Sequence, residues 1–585
     1  MECKTSILNW IKRAVWLLFT AIIGYLLIAS IFSTCYIGPL EYITDTATMQ
    51  TEINVEHTYY IRDHWWIHFL VFGLISYGLF RCGKKEKTDH KNRIPVILCL
   101  TAGAIAFAVV LMGQYYPKFD QRHIIELAIS MNHGDFSALE AGGYLHKYPY
   151  QMGIILFYRF LSFVFGDYNV VAFEAVNALL IAVTYYLLVK TGKMLWTQYD
   201  ENMTAFVCLL FVPYLFYATF LYGTVVGLGF ALLAFFMVLL FQREPKARYI
   251  FAGGISMMLA VVLKSNYVIF LIAAILCLFF DGIGQRKENK TALARKLMFI
   301  LVLISCYAIS NYGMDCYIKK LNGGVELKGV PMTSFVALGL QDGKSAPGWH
   351  NNYDGAVWER NHYDYDLANE EAKQEIRKII AKYPQDITAT VSFFVKKISS
   401  QWNNPTFQSL WILEGRNGKD GLSWLLEGTG RYIYIFFVNL LQTSVLAGTL
   451  LYAILRTGKQ SFEEMLFPVT FIGGFLFHLF WEAKSIYAIP FFILLLPLCV
   501  KGYSEWQSWL LEQRNMIREK GWKSEAGNII KRKLAVALAA FVFVSILSYT
   551  DPFAKLFARN EDTGIFDVYT QEMVNQDLLT AEDPS

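Results

Sequence analysis

The sequence has little that would support a disulfide-bonded, zinc-binding or repetitive protein. Its nine cysteines stand singly, mostly within apolar stretches, with no CxxC pair and no Cys/His pairing. Neither a disulfide framework nor a zinc ligand set is therefore indicated. There is no internal repeat and no low-complexity tract. The net charge of +4 is small, and we expect no nucleic-acid partner.

What the chain does have is a large share of apolar residues. Hydrophobic residues make up 55% of the sequence, and its mean hydropathy is positive, unlike that of ordinary soluble chains. The hydrophobic residues are concentrated in runs of about 15 to 25 residues, near the length that crosses a hydrocarbon core. We predict an all-α polytopic membrane protein with thirteen transmembrane helices, over residues 14–32, 65–80, 94–113, 169–189, 204–221, 225–242, 249–264, 266–280, 297–315, 431–455, 464–481, 486–500 and 534–549. The first run is long for a signal peptide and should remain as an uncleaved helix.

Basic residues mark one side of the membrane. Lysine and arginine cluster in alternate connections, at residues 81–93, 190–193, 242–248, 285–296, 456–459 and 501–533. Because short basic loops stay in the cytoplasm, we place the N-terminus in the cytoplasm and the C-terminus outside the cell membrane. This holds only if the apolar stretch 149–166 does not cross. Its central Arg159 and its opening Pro149 favour a helix that lies on the outer face, and a fourteenth span is the alternative.

The larger polar pieces fall on the outer side, at residues 33–64, 114–168, 316–430 and 551–585. The third is about the size of a small domain, and we expect an α or α/β fold for it. Within it, 341–366 should be a surface loop, followed by helices near 367–382 and 387–400. The inner segment 501–533 is basic and amphipathic and should lie on anionic lipid. The chain then divides into a two-helix addition at 1–93, a membrane core at 94–315, the outer segment at 316–430, the C-terminal core helices at 431–500, the cytoplasmic segment at 501–533, and a last helix with an outer tail at 534–585.

Charged residues at the membrane face are the candidate functional groups. Asp120 stands just beyond the end of a predicted helix, in a patterned polar loop. Lys264 lies at a break between two apolar runs, at the same predicted face, and the Ser265-Asn266 pair opens the backbone there. A charge in a span is costly and marks a functional site, and a cation facing a cavity suits a phosphate. The alternative is a lysine at a helix end whose ammonium reaches the interface.

A second outer turn carries His478, Glu482 and Lys484, followed by Tyr487. Glu482 and Lys484 could pair with each other or bind a headgroup. His478 lies about one helical turn below Glu482, on the same helix face. For His478 the alternative is a buried histidine that is hydrogen-bonded and purely structural.

The order of these features resembles that of the GT-C glycosyltransferases. An outer-loop aspartate, Asp120, follows a helix. Tyr148-Pro149 then opens an interfacial helix, and a span with the internal Asn177 comes next. A lysine at an outer helix break and a Trp-Glu-x-Lys turn complete the series. The similarity is to bacterial relatives of protein O-mannosyltransferases and to aminoarabinose transferases of lipid A, covers roughly residues 94–500, and implies a GT-C-like membrane fold.

The resemblance implies an inverting transfer of a sugar from a polyprenyl phosphate to a cell-envelope glycan or lipid on the outer face. Asp120 would take the proton of the acceptor hydroxyl, and Lys264 would neutralise the departing phosphate. Glu126 is the candidate for a second acid that orients the acceptor. Further candidates for donor-phosphate binding are Arg122, His146 and Lys147. Candidates for substrate or acceptor binding are Tyr148, Tyr222, His478, Glu482, Lys484 and Tyr487.

Two departures from the family bear on cofactors. Many members follow the aspartate with a glutamate, where this chain has Gln121. Many also have an acidic residue in the next outer turn, which here reads Leu-Tyr-Gly-Thr over residues 221–224. The carboxylate cluster that would hold a divalent cation is thus thin. We expect no cofactor and no metal site.

Three alternatives stay open at this point. A flippase or transporter of a lipid-linked sugar would also be polytopic, although transporters often have paired repeats and helices broken at the midplane. An envelope polysaccharide polymerase or ligase would use Arg and His in outer loops, which His350, Arg360 and His362 could supply. A non-catalytic scaffold for envelope assembly would keep its function in Asp120→Asn.

Overall fold

A computed structural model describes residues 2–38, 41–44, 51–54, 58–82, 93–113, 116–285, 290–343, 345–414, 421–426, 428–456, 461–520 and 561–564. Within these ranges the protein is almost entirely helical. The first helices are α1 (Glu2–Phe32), α2 (Trp65–Cys82), α3 (Ile94–Gly113), α4 (Asp120–Asn132), α5 (Tyr144–Lys147), α6 (Met152–Phe165), α7 (Val170–Leu195), α8 (Glu201–Leu210), α9 (Val212–Phe216), α10 (Gly223–Arg243), α11 (Ala247–Leu263), α12 (Val268–Gln285) and α13 (Lys290–Leu321). The others are α14 (Met332–Gly339), α15 (Tyr353–Arg360), α16 (Tyr365–Lys382), α17 (Ile387–Trp402), α18 (Ser409–Leu413), α19 (Ser423–Leu426), α20 (Thr429–Leu455), α21 (Leu466–Phe480), α22 (Ile489–Phe492) and α23 (Leu495–Lys520). Short strands are β1 (Ser33–Ile37), β2 (Glu41–Thr44), β3 (Thr51–Asn54), β4 (Thr58–Arg62) and β5 (Glu561–Gly564).

Nine helices in the described ranges are long and apolar enough to cross a membrane, and the bent pair α8 and α9 makes a tenth if it counts as one span. The predicted polytopic all-α membrane protein is therefore confirmed, whereas the number thirteen is not. Predicted spans 65–80 and 249–264 fall in the shorter apolar helices Trp65–Arg81 and Ala247–Leu263. Each is about 25 Å long, at the short limit for crossing a hydrocarbon core of roughly 30 Å. The predicted span 534–549 lies outside the described residues.

The long helices pack closely where small residues lie at their contacts. A Cβ atom on Gly103 of α3 would come within 2.9 Å of Ala182 Cβ on α7, so the two backbones lie against each other. At the start of α10, any Cβ on Gly223 would collide with the Leu263 carbonyl oxygen. Gly223 thus allows the start of α10 to lie directly beside the end of α11, next to Lys264.

The two N-terminal helices join the bundle mainly through its C-terminal helices. In α1, the Phe19 ring meets Phe471 of α21 at 5.9 Å, and Trp16 meets Tyr452 of α20 at 5.8 Å between ring centroids. Helix α2 contacts α20 and α23. The described helices of this addition therefore pack against the bundle, α1 by a buried face and α2 by fewer contacts.

The stretch between α3 and α7 leaves the bundle and returns to its starting point. The rings of Tyr116 and Tyr168, at the two ends of the stretch, lie 6.3 Å apart. Within it α4 and α6 lie side by side, and His133 after α4 pairs with Asp167 after α6 (Nε2–Oδ2 2.7 Å). Helix α6 therefore does not carry the chain to the other end of the bundle, in keeping with the surface helix predicted at 149–166.

The described residues of 316–430 run from the end of α13 through α19 and are mostly helical; we call them the outer segment, after the side predicted for them. The two helices predicted after residue 366 are present as α16 and α17. The prediction of a surface loop over 341–366 is wrong, because α15 lies there with Val357 and Trp358 buried in a cluster with Phe335. The hydrophilic composition of the stretch hid this short helix, since only one of its faces turns inward.

A small sheet lies where α1 ends and α2 begins. Strands β1 and β4 pair antiparallel with Ser33 opposite Arg62, and β5 adds to β4 in parallel. The sheet packs on α17, where the Cys35 amide donates to the Asn403 carbonyl at 3.4 Å. The chain segment after α23 thus contributes a strand at the same end of the bundle as the outer segment.

Candidate functional site

Lys264 lies where several chain connections meet at one end of the bundle. Helix α11 ends at Leu263, and Lys264 is extended (φ −156°, ψ 109°) before a single turn of 3₁₀ helix. This break directs the lysine across the bundle end. Its Nζ lies 4.0 Å from the centroid of the Tyr222 ring and 5.4 Å from that of Tyr487. Two aromatic faces from different connections thus stabilise one ammonium group.

The ammonium of Lys264 is poorly hydrated, and charged groups of both signs lie near it. Burial lowers the pKa of Lys264 to about 7. The negative charges of Asp120 and Glu482 oppose this lowering, and the positive charge of Lys484 adds to it. An anion bound beside Lys264 would favour the charged form, so the residue is suited to hold a phosphate.

Asp120 is the exposed first residue of α4. Its carboxylate has no hydrogen bond or ion pair with any residue that the structure describes. The residue before it, Phe119, has φ 57° and ψ −144°, a region that only glycine adopts without cost. The Phe119 ring stacks on Trp411 of the outer segment, with centroids 5.4 Å apart. This stack holds the sharp entry into α4.

The charge of Asp120 reaches the groups that surround Lys264. Burial raises the pKa of the Tyr222 phenol, and the Asp120 carboxylate adds to the effect. The neighbouring Gln121 is buried, and its Oε1 accepts a hydrogen bond from the Leu221 amide at 2.9 Å. Gln121 therefore ties the start of α4 to the turn that carries Tyr222.

Glu482 is buried in the turn between α21 and α22 and has several partners. Its Oε1 lies 3.2 Å from Lys484 Nζ, and its Oε2 accepts a hydrogen bond from the Tyr487 hydroxyl at 3.2 Å. Lys397 of the outer segment fixes this turn by donating to the Trp481 carbonyl at 2.9 Å and to a second carbonyl. The predicted Glu482–Lys484 pair therefore exists, and it is held in place by a buried lysine.

His478 lies below this turn and is fully buried. Its ring is nearly parallel to that of Tyr487, with centroids 5.8 Å apart and an interplanar angle of 14°. Neither ring nitrogen has a hydrogen-bond partner within the described part of the chain. The alternative of a hydrogen-bonded structural histidine is thus not supported, and His478 reaches the site by stacking on Tyr487.

Asp354 is a functional candidate that the sequence analysis missed. It is 1% exposed in α15, and its Oδ2 accepts a hydrogen bond from the Tyr148 hydroxyl at 2.8 Å. Lys147 Nζ lies 3.8 Å from the same oxygen, so this lysine, predicted to bind phosphate, compensates a carboxylate. Asp354, Val357 and Trp358 share one helix face by their spacing, which is the signal that the sequence contains.

His350 and Tyr150 complete the cleft between the outer segment and the bundle. His350 Nδ1 lies 3.9 Å from Asp354 Oδ1 and 3.9 Å from Glu482 Oε1. Tyr150 is 47% exposed, yet limited hydration raises the pKa of its phenol, and nearby Glu482, Asp354 and Asp120 are among the groups that add to the effect. Carboxylates from three separate parts of the chain thus act on one partly exposed tyrosine, and we call the region around Tyr150, His350 and Lys264 the cleft.

Arg122 and Glu126 do not join this cleft. They form an ion pair (Nε–Oε1 2.7 Å) with side chains 58% and 38% exposed. On a helix they lie about 200° and 240° around the axis from Asp120, so they face another direction. Their charges act on the Tyr116 phenol. Neither the phosphate-binding role predicted for Arg122 nor the acceptor role predicted for Glu126 is supported by this placement.

His146 and two residues of the ligase alternative also lie apart from Lys264. The His146 ring packs 5.6 Å from that of Trp358, in the aromatic cluster of the outer segment. Arg360 donates to Glu371 at 3.1 Å, and His362 is exposed in the loop after α15. Of the three residues that favoured a polymerase or ligase, only His350 reaches the cleft.

The site combines an unpaired carboxylate, a cation between aromatic rings and an open cleft. Beside Lys264 lies a pocket of about 250 Å³, counted with open solvent, which is lined by Thr224, Asn266, Tyr267, Ile486, Tyr487, Pro490 and Phe491. The described ranges contain no group of three His, Cys, Asp or Glu side chains arranged to hold a metal ion. No protein-family model matches the chain, and no curated protein is significantly similar to it.

Proposed function

We propose that this protein is an integral-membrane glycosyltransferase of the GT-C type, which moves a sugar from a polyprenyl-phosphate donor to a cell-envelope glycan or lipid. The observation that carries the proposal is the placement of two groups in one cleft. Asp120 is exposed, and its carboxylate has no hydrogen bond or ion pair in the described structure. Lys264 lies between two aromatic rings, and the charge of Asp120 acts on its ammonium group. Such a pair suits a reaction that removes a proton and releases a phosphate.

In the proposed reaction, the acceptor hydroxyl attacks the anomeric carbon of the donor sugar. Asp120 takes the hydroxyl proton as the new C–O bond forms. The bond between the sugar and the phosphate oxygen breaks, and its electron pair goes to the phosphate. Lys264 compensates the charge that the phosphate gains. A single displacement of this kind inverts the anomeric configuration and needs one carboxylate at the reacting carbon, whereas a glycosidase uses two.

The groups around these two have supporting roles in the proposal. Tyr222 and Tyr487 hold Lys264 between their rings, so they set where the donor phosphate binds. The carboxylate of Glu482 and the ammonium of Lys484 would bind polar groups of the substrates.

The distribution of basic residues supports a site on the outer face. Lys190 and Lys193, which pair with Glu201, lie in the last turns of α7, at a connection that alternates along the chain with those forming the cleft. Arg243, the last residue of α10, and Lys246 lie at another such connection. Because basic connections stay in the cytoplasm, the cleft would face outward, with the N-terminus inside and the C-terminus outside. A donor carried by a membrane lipid fits this face, and a nucleotide sugar does not.

The competing functions differ in what they require of the site. A transporter of a lipid-linked sugar would place its polar groups near the middle of the membrane, whereas Lys264, Asp120 and Glu482 all lie at helix ends. The large outer segment over the cleft also suits work on one face. A polymerase or ligase is favoured by one observation, the placement of His350 between Asp354 and Glu482.

The test is a transfer assay with the purified full-length protein in lipid nanodiscs. It offers a panel of undecaprenyl-phosphate sugars with cell-envelope extract as acceptor, and it follows the product by mass and its anomeric configuration by NMR. We expect transfer of single sugars from one donor with inversion. Retention of configuration would contradict the single displacement. Extension of a lipid-linked oligosaccharide would favour the polymerase, and movement of a lipid-linked sugar across vesicles without transfer would favour the flippase.

A further inference from the structure

The Asp354 carboxylate has one oxygen with a partner and one without. Its Oδ2 accepts the Tyr148 hydroxyl and lies 3.8 Å from Lys147 Nζ. Its Oδ1 is buried and has no hydrogen-bond partner in the described structure. A buried acceptor without a donor is costly, and a native protein keeps one where a ligand, an ordered water or a functional step uses it. The negative charge is already compensated by Lys147, so the missing partner need only be a neutral donor.

His350 covers this unpaired oxygen without satisfying it. Its Nδ1 lies 3.9 Å from Asp354 Oδ1 and equally far from Glu482 Oε1, which is too long for a hydrogen bond. The side chain of His350 is 48% exposed, so a change of rotamer is open to it. Such a change would uncover a gap between two buried carboxylates, one from the outer segment and one from the bundle.

Aromatic rings form the floor of the same region. The Tyr148 ring lies 6.0 Å from that of Tyr150 and 6.4 Å from that of Phe335, which stacks on Trp481 at 5.2 Å. Tyr150 is the exposed member of this row. Ring faces that contact C–H groups, together with a few placed hydrogen-bond acceptors, are what a pyranose ring with several hydroxyls requires.

We propose that Asp354 is a specificity-determining residue that binds hydroxyl groups of the donor sugar, with Glu482 on the other side of the gap. This inference rests on the proposed glycosyl transfer. We assign the gap to the donor sugar and not to the acceptor because the charge of Glu482 also acts on Lys264. Lys264 is the residue assigned to the donor phosphate. The outer segment would then select the sugar, while the bundle would hold the phosphate.

Binding measurements can isolate this contact. The full-length protein in nanodiscs is titrated with undecaprenyl phosphate and with a panel of undecaprenyl-phosphate hexoses. We expect the wild type to bind at least one hexose-bearing lipid about tenfold to a hundredfold more tightly than the bare lipid, the effect of one or two hydrogen bonds to a charged group. Asp354→Asn should lose this preference and still bind the bare lipid as the wild type does. The matched control is Glu359→Gln, an exposed carboxylate on α15 itself, which should keep the preference.

Tyr148→Phe is a second variant in case Asp354→Asn does not fold, because it keeps the ring and removes only the hydroxyl that orients Asp354. It should reduce the preference for the hexose-bearing lipid. A full preference in a folded Asp354→Asn or Tyr148→Phe protein would overturn the proposal, and so would a wild type that binds all the lipids equally. A wild type with the preference but without any sugar transfer would contradict the proposed function and leave the role of Asp354 standing.

Discussion

The entry into α4 offers a test of how Asp120 is positioned, because Phe119 has a backbone conformation that suits only glycine. Its φ of 57° and ψ of −144° cost a non-glycine residue about 1–3 kcal/mol. The Phe119 ring is partly buried and stacks on Trp411, and such a pair contributes about 0.5–1.5 kcal/mol beyond its burial. Ring packing therefore offsets the backbone strain and turns Asp120 into the cleft.

We expect Phe119→Gly to be more stable than Phe119→Ala. Both variants lose the ring, but only glycine relieves the backbone. The relief of about 1–3 kcal/mol exceeds the penalty of about 0.5–1 kcal/mol for the greater flexibility of glycine in the unfolded chain. The difference in unfolding free energy should be about 1–2 kcal/mol in favour of glycine. Denaturant unfolding of the detergent-solubilised protein, followed by tryptophan fluorescence, measures it.

Phe136 is the matched control for this experiment. It is also partly buried and lies in the same stretch, but its φ is −118°, which any residue adopts. There the alanine variant should be more stable than the glycine variant, the usual order. The usual order at Phe119 as well would refute the reasoning. If the reasoning holds, both Phe119 variants should lower kcat more than they change KM for the donor, because Asp120 is no longer held in place.

Two further predictions concern buried cations. Because burial lowers the pKa of Lys264 to about 7, free Lys264 loses its charge as the pH rises through that value, and donor affinity should then fall by up to about tenfold per pH unit. Lys264→Arg keeps its charge and should show a flat profile of Kd against pH, so a flat profile in the wild type would count against the phosphate role. Lys397→Met removes the donor to the Trp481 and Gly339 carbonyls and should lower the unfolding free energy by about 2–4 kcal/mol. Unchanged stability in denaturant unfolding would show that Lys397 does not fix the Glu482 turn.

The helical membrane fold could be predicted because a long apolar run can be buried only in lipid or inside a bundle. The number of spans stays a prediction, since the helices at 65–81 and 247–263 are at the short limit for crossing and residues 534–549 lie outside the described ranges. Asp120, Lys264 and Glu482 could be grouped because each stands at a helix end on the same predicted side. Because successive membrane helices run in opposite directions, every second connection lies at the same end of the bundle, whatever the order of the helices around it.

The differences between the predicted site and the observed placement have one physical origin, which is that sequence distance does not report helix face. Arg122 and Glu126 are close to Asp120 in sequence, but α4 turns them away from the cleft. Asp354 is far from every membrane helix in sequence, but α15 turns it inward to Tyr148. The packing of the outer segment on the bundle decides both outcomes, and no local pattern in the sequence specifies that packing.

The measurement that tests the central claim most directly is the single-turnover rate of sugar transfer by Asp120→Asn with the donor bound at saturation. Glu140→Gln, an exposed carboxylate of the same stretch, is the control for surface charge. A general base is worth about 100-fold to 10,000-fold in rate. We predict a loss of that size in Asp120→Asn with unchanged donor affinity, and a wild-type rate in Glu140→Gln. Transfer by Asp120→Asn at the wild-type rate would contradict the account and remove Asp120 from the mechanism.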